Sequence, residues 1–406
     1  KEMNLKDSVE IFVKDRKEYY KQWMFEEPII ISKSHNDKLQ KVQKIMYKII
    51  TEFVCSYKNY KHLMPVDVKT EQIIELFNRK EYKTGTYRTD FVYDKNNQVK
   101  LIEITCRFAL NGVFLSELMN RVALDFHQKK ISNLEVQNLY KPINKHLENY
   151  IENIDSVFIL KGDDQKNESK IYKDIFTRMN IKVIDVNYKE VENYINSMQN
   201  SLIVSELSFD EITSFSIQTL EKLMPLNIIN DFSNIFLIHD KRFFSVLGKK
   251  ELQEAVLTEE EIILFKDFYI PTYTSSENTE IWQKAKKEKD KWILKHRALG
   301  KSQKIYAGLV TEEKEWQNLF SEVEKKDMIL QEWIPQKRIT GKIKGEKFED
   351  FVTGTLLYFD DNYFGMGDFR TSSHPVTNKV DHRKACSLIR ASNTELDLAT
   401  ITNYID

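Results

Sequence analysis

Arg88, Asp90, Glu103 and Thr105 are polar residues set two apart within two aromatic and β-branched runs, Tyr87 to Tyr93 and Val99 to Thr105. Strand side chains alternate with period two, so Arg88 shares a face with Asp90, and Glu103 shares one with Thr105. Asp94 to Asn97 reads as a turn between them, which makes the pair a β-hairpin. Two carboxylates and a hydroxyl beside an arginine suit a hard cation of the magnesium kind, shared with phosphate oxygens. Arg88 would then grip a phosphate or carboxylate oxygen through its guanidinium fork. A charged hairpin face with cross-strand ion pairs has the same spacing. The cluster Arg107, Asn111 and Gly112, directly after an apolar strand, favours a site at the strand end.

A second candidate is the strand Trp292 to Lys295, which ends in a lysine and opens into the loop His296 to Lys304 with Gly300, Lys301 and Ser302. A lysine at a strand end can hold a phosphate while loop amides cover the rest. The loop lacks the first glycine of a Walker pattern, and a solvated basic loop reads the same way. The third is Ile329 to Pro335, a strand broken by proline. Its backbone can face an adenine edge, with Gln331, Glu332 and Trp333 alongside and Glu332 accepting from the ribose or amino group; an ordinary strand end has the same appearance.

Other chemistries find no support. The histidines show no metal-ligand spacing, with His296 beside Lys295 and His374 before Pro375, and no G-x-S-x-G nucleophile elbow occurs. Cys55, Cys106 and Cys386 are odd in number and far apart, which argues against a disulfide framework and for a reducing compartment. Sixty-one basic and sixty-two acidic residues leave a formal charge of -1, so no global field draws the chain to nucleic acid or an anionic membrane. Apolar stretches such as Ile29 to Ile31 fall far short of the roughly 20 residues a membrane span needs, and no signal peptide is visible. The expected location is the cytoplasm.

The elements that must carry these residues follow from periodicity. Leu39, Val42, Ile45, Met46, Ile49 and Ile50 predict a helix from Asn36 to Phe53, in a helix-rich first eighty residues. Helical spacing returns at Leu115 to Phe126 and Tyr140 to Ile151. Strands at Val157 to Leu160, Ile181 to Val186 and Ser201 to Val204, with a helix at Lys170 to Met179, predict a small parallel α/β subdomain. Asn234 to Ile238 reads as a further strand before a helix at Asp240 to Gly248. The acidic run Thr258 to Ile263 and the basic Glu280 to Lys291 read as helices. Met328 to Ile334 reads as a strand, and Phe351 to Phe359 with Tyr363 to Phe369 as a hairpin turned by Asp360 to Asn362.

Taken together, these segments resemble the glutathionylspermidine synthase-like branch of the ATP-grasp ligases. Arg88-Thr89-Asp90-Phe91 and Glu103-Ile104-Thr105 are similar to its R-x-D-F and E-x-N strands, with Thr105 where the family has asparagine. The resemblance implies Asp90, Glu103 and Thr105 as magnesium ligands and Arg88 as the group that stabilises the transition state. Ile238 to Leu247 resembles the family's short lysine segment, which gives Lys241 a nucleotide phosphate. Lys295 and the loop Gly300, Lys301 and Ser302 would be the second phosphate element, Gln331 to Trp333 the adenine hinge, and Gly365 to Arg370 the late strand whose Arg370 meets the nucleotide. The carboxylate strands precede the nucleotide lysines, the order of the circularly permuted branch. The implied fold class is α+β / α/β: a circularly permuted ATP-grasp fold with a small parallel, pre-ATP-grasp-like subdomain. Its parts would be a helical region over 1–84, metal-binding strands and helices over 85–150, the α/β subdomain over 151–227, and the nucleotide-binding lobe with returning core strands over 228–406. The implied activity is an ATP- and Mg2+-dependent ligase joining a small-molecule or peptide carboxylate to an amine. A phosphotransferase, or a non-catalytic nucleotide-binding protein of the same fold, is the alternative. Removing Asp90 or Glu103 is expected to stop turnover with little effect on folding.

Overall fold

The computed structural model describes residues 20–108, 116, 134–135, 147–148, 150–164, 169–390 and 403–406. Asn111, Gly112 and the helices expected at Leu115 to Phe126 and over most of Tyr140 to Ile151 lie outside the described residues.

Four sheets organise the described residues. The largest is seven-stranded and antiparallel, with Glu346–Phe359 as its long central strand. Thr86–Tyr93 pairs with one edge of that strand and carries Val99–Thr105 on its far side. Phe369–Ser372 pairs with it over Phe351 to Thr353. The hairpin Thr86–Thr105 closes where sequence predicts: the Asp94 carboxylate accepts from the Asn96 and Gln98 amides at 2.8 and 2.9 Å, and Asn97 takes the left-handed conformation at φ 63°.

A second antiparallel sheet has the order Ile305–Ala307, Trp292–His296, Met328–Glu332, Thr272–Thr274. The third is parallel, ordered Lys182–Asn187, Ser156–Lys161, Ser201–Ser205, Asn227–Ile229, with the helix Ser169–Arg178 in its first crossover. In the fourth, Ile29–Ile31 lies between Ser387–Arg390 and Asn403–Ile405, parallel to both, and the short Leu134–Glu135 strand edges Ser387–Arg390.

The helix Lys33–Cys55 is capped by Ser32, whose hydroxyl accepts from the His35 amide at 3.1 Å, and its Leu39, Val42, Met46, Ile49 and Phe53 stripe is fully buried. That stripe packs into the main core with Phe243, Leu252 and Phe265 from later helices. Reciprocal capping boxes at Ser208/Glu211 and Thr258/Glu261 start two of the other helices.

Two expectations are corrected. Asn234 to Ile238 is not a strand: Ser233–Leu237 is helical and buried on every side, so its apolar run carries no helical stripe, and Asp231 starts it by accepting from the Ser233 amide at 2.9 Å. The last hairpin stops at Met366, and Phe369 belongs to a separate strand. Gly367 makes the break, because a Cβ there would meet Thr355 Oγ1 at 2.2 Å and Ser116 Oγ at 2.6 Å. No helix among the described residues is long and apolar enough to cross a membrane.

Candidate functional site

The first hairpin sets Arg88 opposite Thr105 and Asp90 opposite Glu103. Arg370 reaches the same place from the Phe369–Ser372 strand, whose pairing puts it opposite Thr353. Asp90 is buried between two guanidinium groups: Arg88 Nε donates to Oδ1 at 2.8 Å, and Arg370 Nη2 donates to Oδ2. Arg88 Nη2 also reaches Thr105 Oγ1 at 3.4 Å. Arg370 Nε is buried without a hydrogen-bond partner, on a side chain that lines both cavities described below.

Glu103 collects the lysines. Lys241 Nζ is 3.2 Å from its carboxylate and donates to the Leu299 carbonyl at 2.6 Å. Lys295 Nζ donates to the Ile102 carbonyl at 2.7 Å and to Gln331 Oε1 at 2.8 Å. Both ammonium groups are nearly buried, at 5 % and 4 % exposure, a costly placement unless charge and hydrogen bonds offset it. Burial alone would raise the Glu103 pKa, but Lys241, Lys295 and Arg370 outweigh it and hold the carboxyl at about 2. Burial brings Lys295 down to about 8, with Lys241 adding to the fall and Glu103 and Asp90 opposing it.

Two cavities meet at this cluster. One is walled by Ile270, Ile293, Ile305, Val376 and the exit of the Met328–Glu332 strand through Ile334. The other is polar and bounded by Arg88, Arg107, His239, Lys241 and the loop Gly300 to Gln303. Asp90, Glu103, Ser302 and Arg370 line both. An apolar slot opening onto a cluster of fixed cations and carboxylates suits a ligand with a flat apolar end and an anionic end.

Thirteen of the residues singled out from sequence border one cavity or the other, Arg88, Asp90, Glu103, Thr105, Lys241, Lys295, Gly300, Lys301, Ser302, Gln331, Glu332, Trp333 and Arg370, and so does Arg107, while Asn111 and Gly112 lie outside the described residues. Two of their expected roles change, while the Gln331 side chain is bound within the sheet, its oxygen taking Lys295 and its nitrogen donating to Thr272 Oγ1 at 2.9 Å. The Glu332 and Trp333 amides are taken by the Pro271 and Lys291 carbonyls at 3.1 and 2.8 Å, so they are not spare donors for a base. Asp90 is no exposed carboxylate; removing it would strand two arginines, so it does carry stability.

The loop after Lys295, poor in glycine, bends by putting Lys301, Ser302 and Lys304 at φ 54°, 59° and 48°, a strained choice for residues with a Cβ. Ser302 Oγ ties it to the Thr377 carbonyl at 3.0 Å.

Sequence reasoning missed His239, Asp164, Thr353 and Val376. His239 Nδ1 accepts from the Cys106 amide at 3.3 Å, which leaves the ring proton on Nε2. Burial, reinforced by Lys241, brings its pKa to about 4, so it is neutral at pH 7. Only its place two residues before Lys241 hinted at it. Val376 and Thr353 carried no signal, since they reach the cavity from distant strands and loops.

The fold is a mixed α/β arrangement of several sheets. Its likeness to a glutathione synthetase-like effector from Globodera pallida, solved in the apo form, has a TM-score of 0.59 and covers 93% of this chain and 97% of that one at 12% identity. A D-alanyl-alanine synthetase A from Vibrio cholerae aligns over 50% of this chain and 67% of its own at 15% identity, with a TM-score of 0.29 that is too low to argue from. By sequence, residues 42–237 match the AnkG N-terminal domain family, just under half of the chain. No curated protein matches the sequence.

Proposed function

We propose that the chain is an ATP- and magnesium-dependent carboxylate–amine ligase with circularly permuted ATP-grasp segment order. The observation that supports it is the junction of the apolar and polar cavities at Asp90, Glu103 and Arg370. A purine fits the slot walled by Ile270, Ile293 and Val376, and its phosphates run out past Lys295 and Lys241.

In this reading an oxygen of the substrate carboxylate attacks the γ-phosphorus of ATP. ADP leaves, and an acyl phosphate remains. The amine nitrogen then attacks the acyl carbon, phosphate departs and the nitrogen gives up a proton. Arg88 and Arg370 stabilise charge on the phosphoryl group in flight, while the loop at Gly300 to Ser302 keeps water from it. Asp90 and Glu103, opposite each other across the hairpin, and the Thr105 hydroxyl are the hard oxygen donors that would hold a magnesium ion, in exchange for the Arg88, Arg370 and Lys241 contacts they make here. When bound, magnesium would neutralise charge on the ATP phosphates. The acid and the amine are small molecules or peptides of a size for the polar chamber.

A nucleotide-binding protein without turnover is the second reading. It draws on Thr105, a weak third donor already bonded to Arg88, and on carboxylates already paired with the chain's own cations.

Hydroxylamine separates them, because it converts an acyl phosphate to a hydroxamate. The full chain is incubated with Mg-ATP, hydroxylamine and a panel of carboxylic acids, and ADP and hydroxamate are measured. Matched ADP and hydroxamate, lost in Glu103→Ala, is the expected result. Thermal stabilisation by Mg-ATP with no ADP from any acid would favour the second reading, and no stabilisation at all would overturn both.

A further inference from the structure

We propose that Arg107 reads a second carboxylate on the acid substrate, so that the acid activated here is a dicarboxylate. The inference rests on the ligase reading and names its substrate class.

Arg107 lies just past the strand that carries Glu103 and Thr105, and it lines only the polar chamber. Its guanidinium is held from behind. Nε donates to the Leu207 carbonyl at 3.1 Å, Nη2 donates to the Glu206 carbonyl at 3.3 Å, and the plane lies 4.6 Å from the Phe108 ring. A guanidinium has five donors, so these bonds leave the outer pair of nitrogens, Nη1 and Nη2, with hydrogens to offer as a fork. Asp164 Oδ2 stands 3.7 Å from Nη1, outside hydrogen-bond reach.

The charge around it is unevenly spent. Asp90 takes Arg88 and Arg370, and Glu103 takes Lys241, whereas among the described residues the ion-pair partner of Arg107 is the half-exposed Asp164, 3.7 Å from Nη1. Arg107 has a side chain only 13 % exposed, and burial lowers its pKa although Asp164, Glu211 and Glu206 favour its charge. A buried fork that is fixed in place, turned to a cavity and held to its carboxylate beyond hydrogen-bond distance exchanges that loose partner for a ligand carboxylate. With Arg88 and Arg370 at the reacting end and Arg107 at the other, the chamber selects acids with a carboxylate at each end.

The test uses the full chain with magnesium and a non-hydrolysable ATP analogue. Succinate, glutarate, adipate and L-glutamate are compared by thermal shift and titration calorimetry with monocarboxylates of equal length, namely butyrate, valerate and hexanoate. At least one dicarboxylate should bind where its monocarboxylate partner does not. Arg107→Gln should weaken that dicarboxylate roughly ten- to hundredfold and erase the difference, while Arg107→Lys recovers part of it. The shift caused by the nucleotide analogue is the control for folding, because Arg107 does not border the apolar cavity. A dicarboxylate preference that survives Arg107→Gln overturns the proposal, as does a wild-type chain that binds nucleotide but prefers no dicarboxylate. The same acids are titrated without nucleotide. A preference that depends on Arg107 there, with no response to nucleotide, sinks the ligase reading and leaves the carboxylate site standing.

Discussion

The two cavities differ in how their polar groups are spent. In the apolar one, the polar side chains from the antiparallel sheet are mutually satisfied: Lys295 on Gln331, Gln331 on Thr272, and Thr272 on the Ile270 carbonyl at 2.9 Å. In the polar chamber, cations from a strand end and a loop keep donors in hand. The first is a finished mould, rigid because each group is tied to its neighbours in one chain of hydrogen bonds. The second is a set of fixed charges awaiting a partner. A fold divided in this way can hold one common ligand end and alter the other through a few side chains outside the sheets.

The comparison breaks first at the junction. Asp90→Asn removes the anion between Arg88 and Arg370, so it should end turnover and also cost about 3–5 kcal/mol of stability, read from denaturant unfolding. An unfolding curve like the wild type's would mean that those arginines find other partners easily. Lys295→Met comes next. It keeps the stem in the slot but removes the charge, and should weaken the ATP analogue by roughly ten- to hundredfold in calorimetry. It should leave the dicarboxylate preference intact. Loss of that preference would show the cavities to be one unit.

The smallest effect is on pH dependence. Lys295 sits at about 8 in the fold against 10.5 ordinarily, so between those values the unfolded chain holds a proton that the folded one lacks. The Lys295 share of the stability of the nucleotide-free chain should therefore climb from pH 8 towards 10.5, read as the difference between the wild type and Lys295→Met. On the acid side, His239 at about 4 against 6.5 and Glu103 at about 2 against 4.5 have the same sign. Their stabilisation is present at neutral pH and lost as pH falls, first from 6.5 to 4 and then from 4.5 to 2. His239→Gln should shrink only the first of these steps, leaving the part due to the buried His35, which also falls to about 4.

The hairpin of Arg88 and Glu103 was legible because alternation and turn chemistry are local, and its register then follows from the turn. The lysine contacts were not. Lys295 meets the Ile102 carbonyl 193 residues away, and no periodicity encodes such a meeting, so the assignment of Lys241 came from family resemblance alone. The spent amides of Glu332 and Trp333 were hidden for a related reason. Whether a strand end is free depends on which neighbour pairs with it, and Pro271 and Lys291 supply those acceptors from separate segments. Ser233–Leu237 misled because a helix buried on all sides loses its amphipathic period. Ile29–Ile31 escaped because three apolar residues carry too little pattern to call for a strand.

That short strand has a consequence for how the protein is made. Ile29 pairs with Ser387 on one side and Asn403 on the other, so its partners are synthesised 358 and 374 residues after it. At about 5–20 residues per second, the strand waits roughly 20–70 s with both edges open. Its sheet is a clasp that shuts only once those distant partners have been made, and until then Ile29–Ile31 is an exposed apolar edge open to chaperones or to a neighbouring nascent chain.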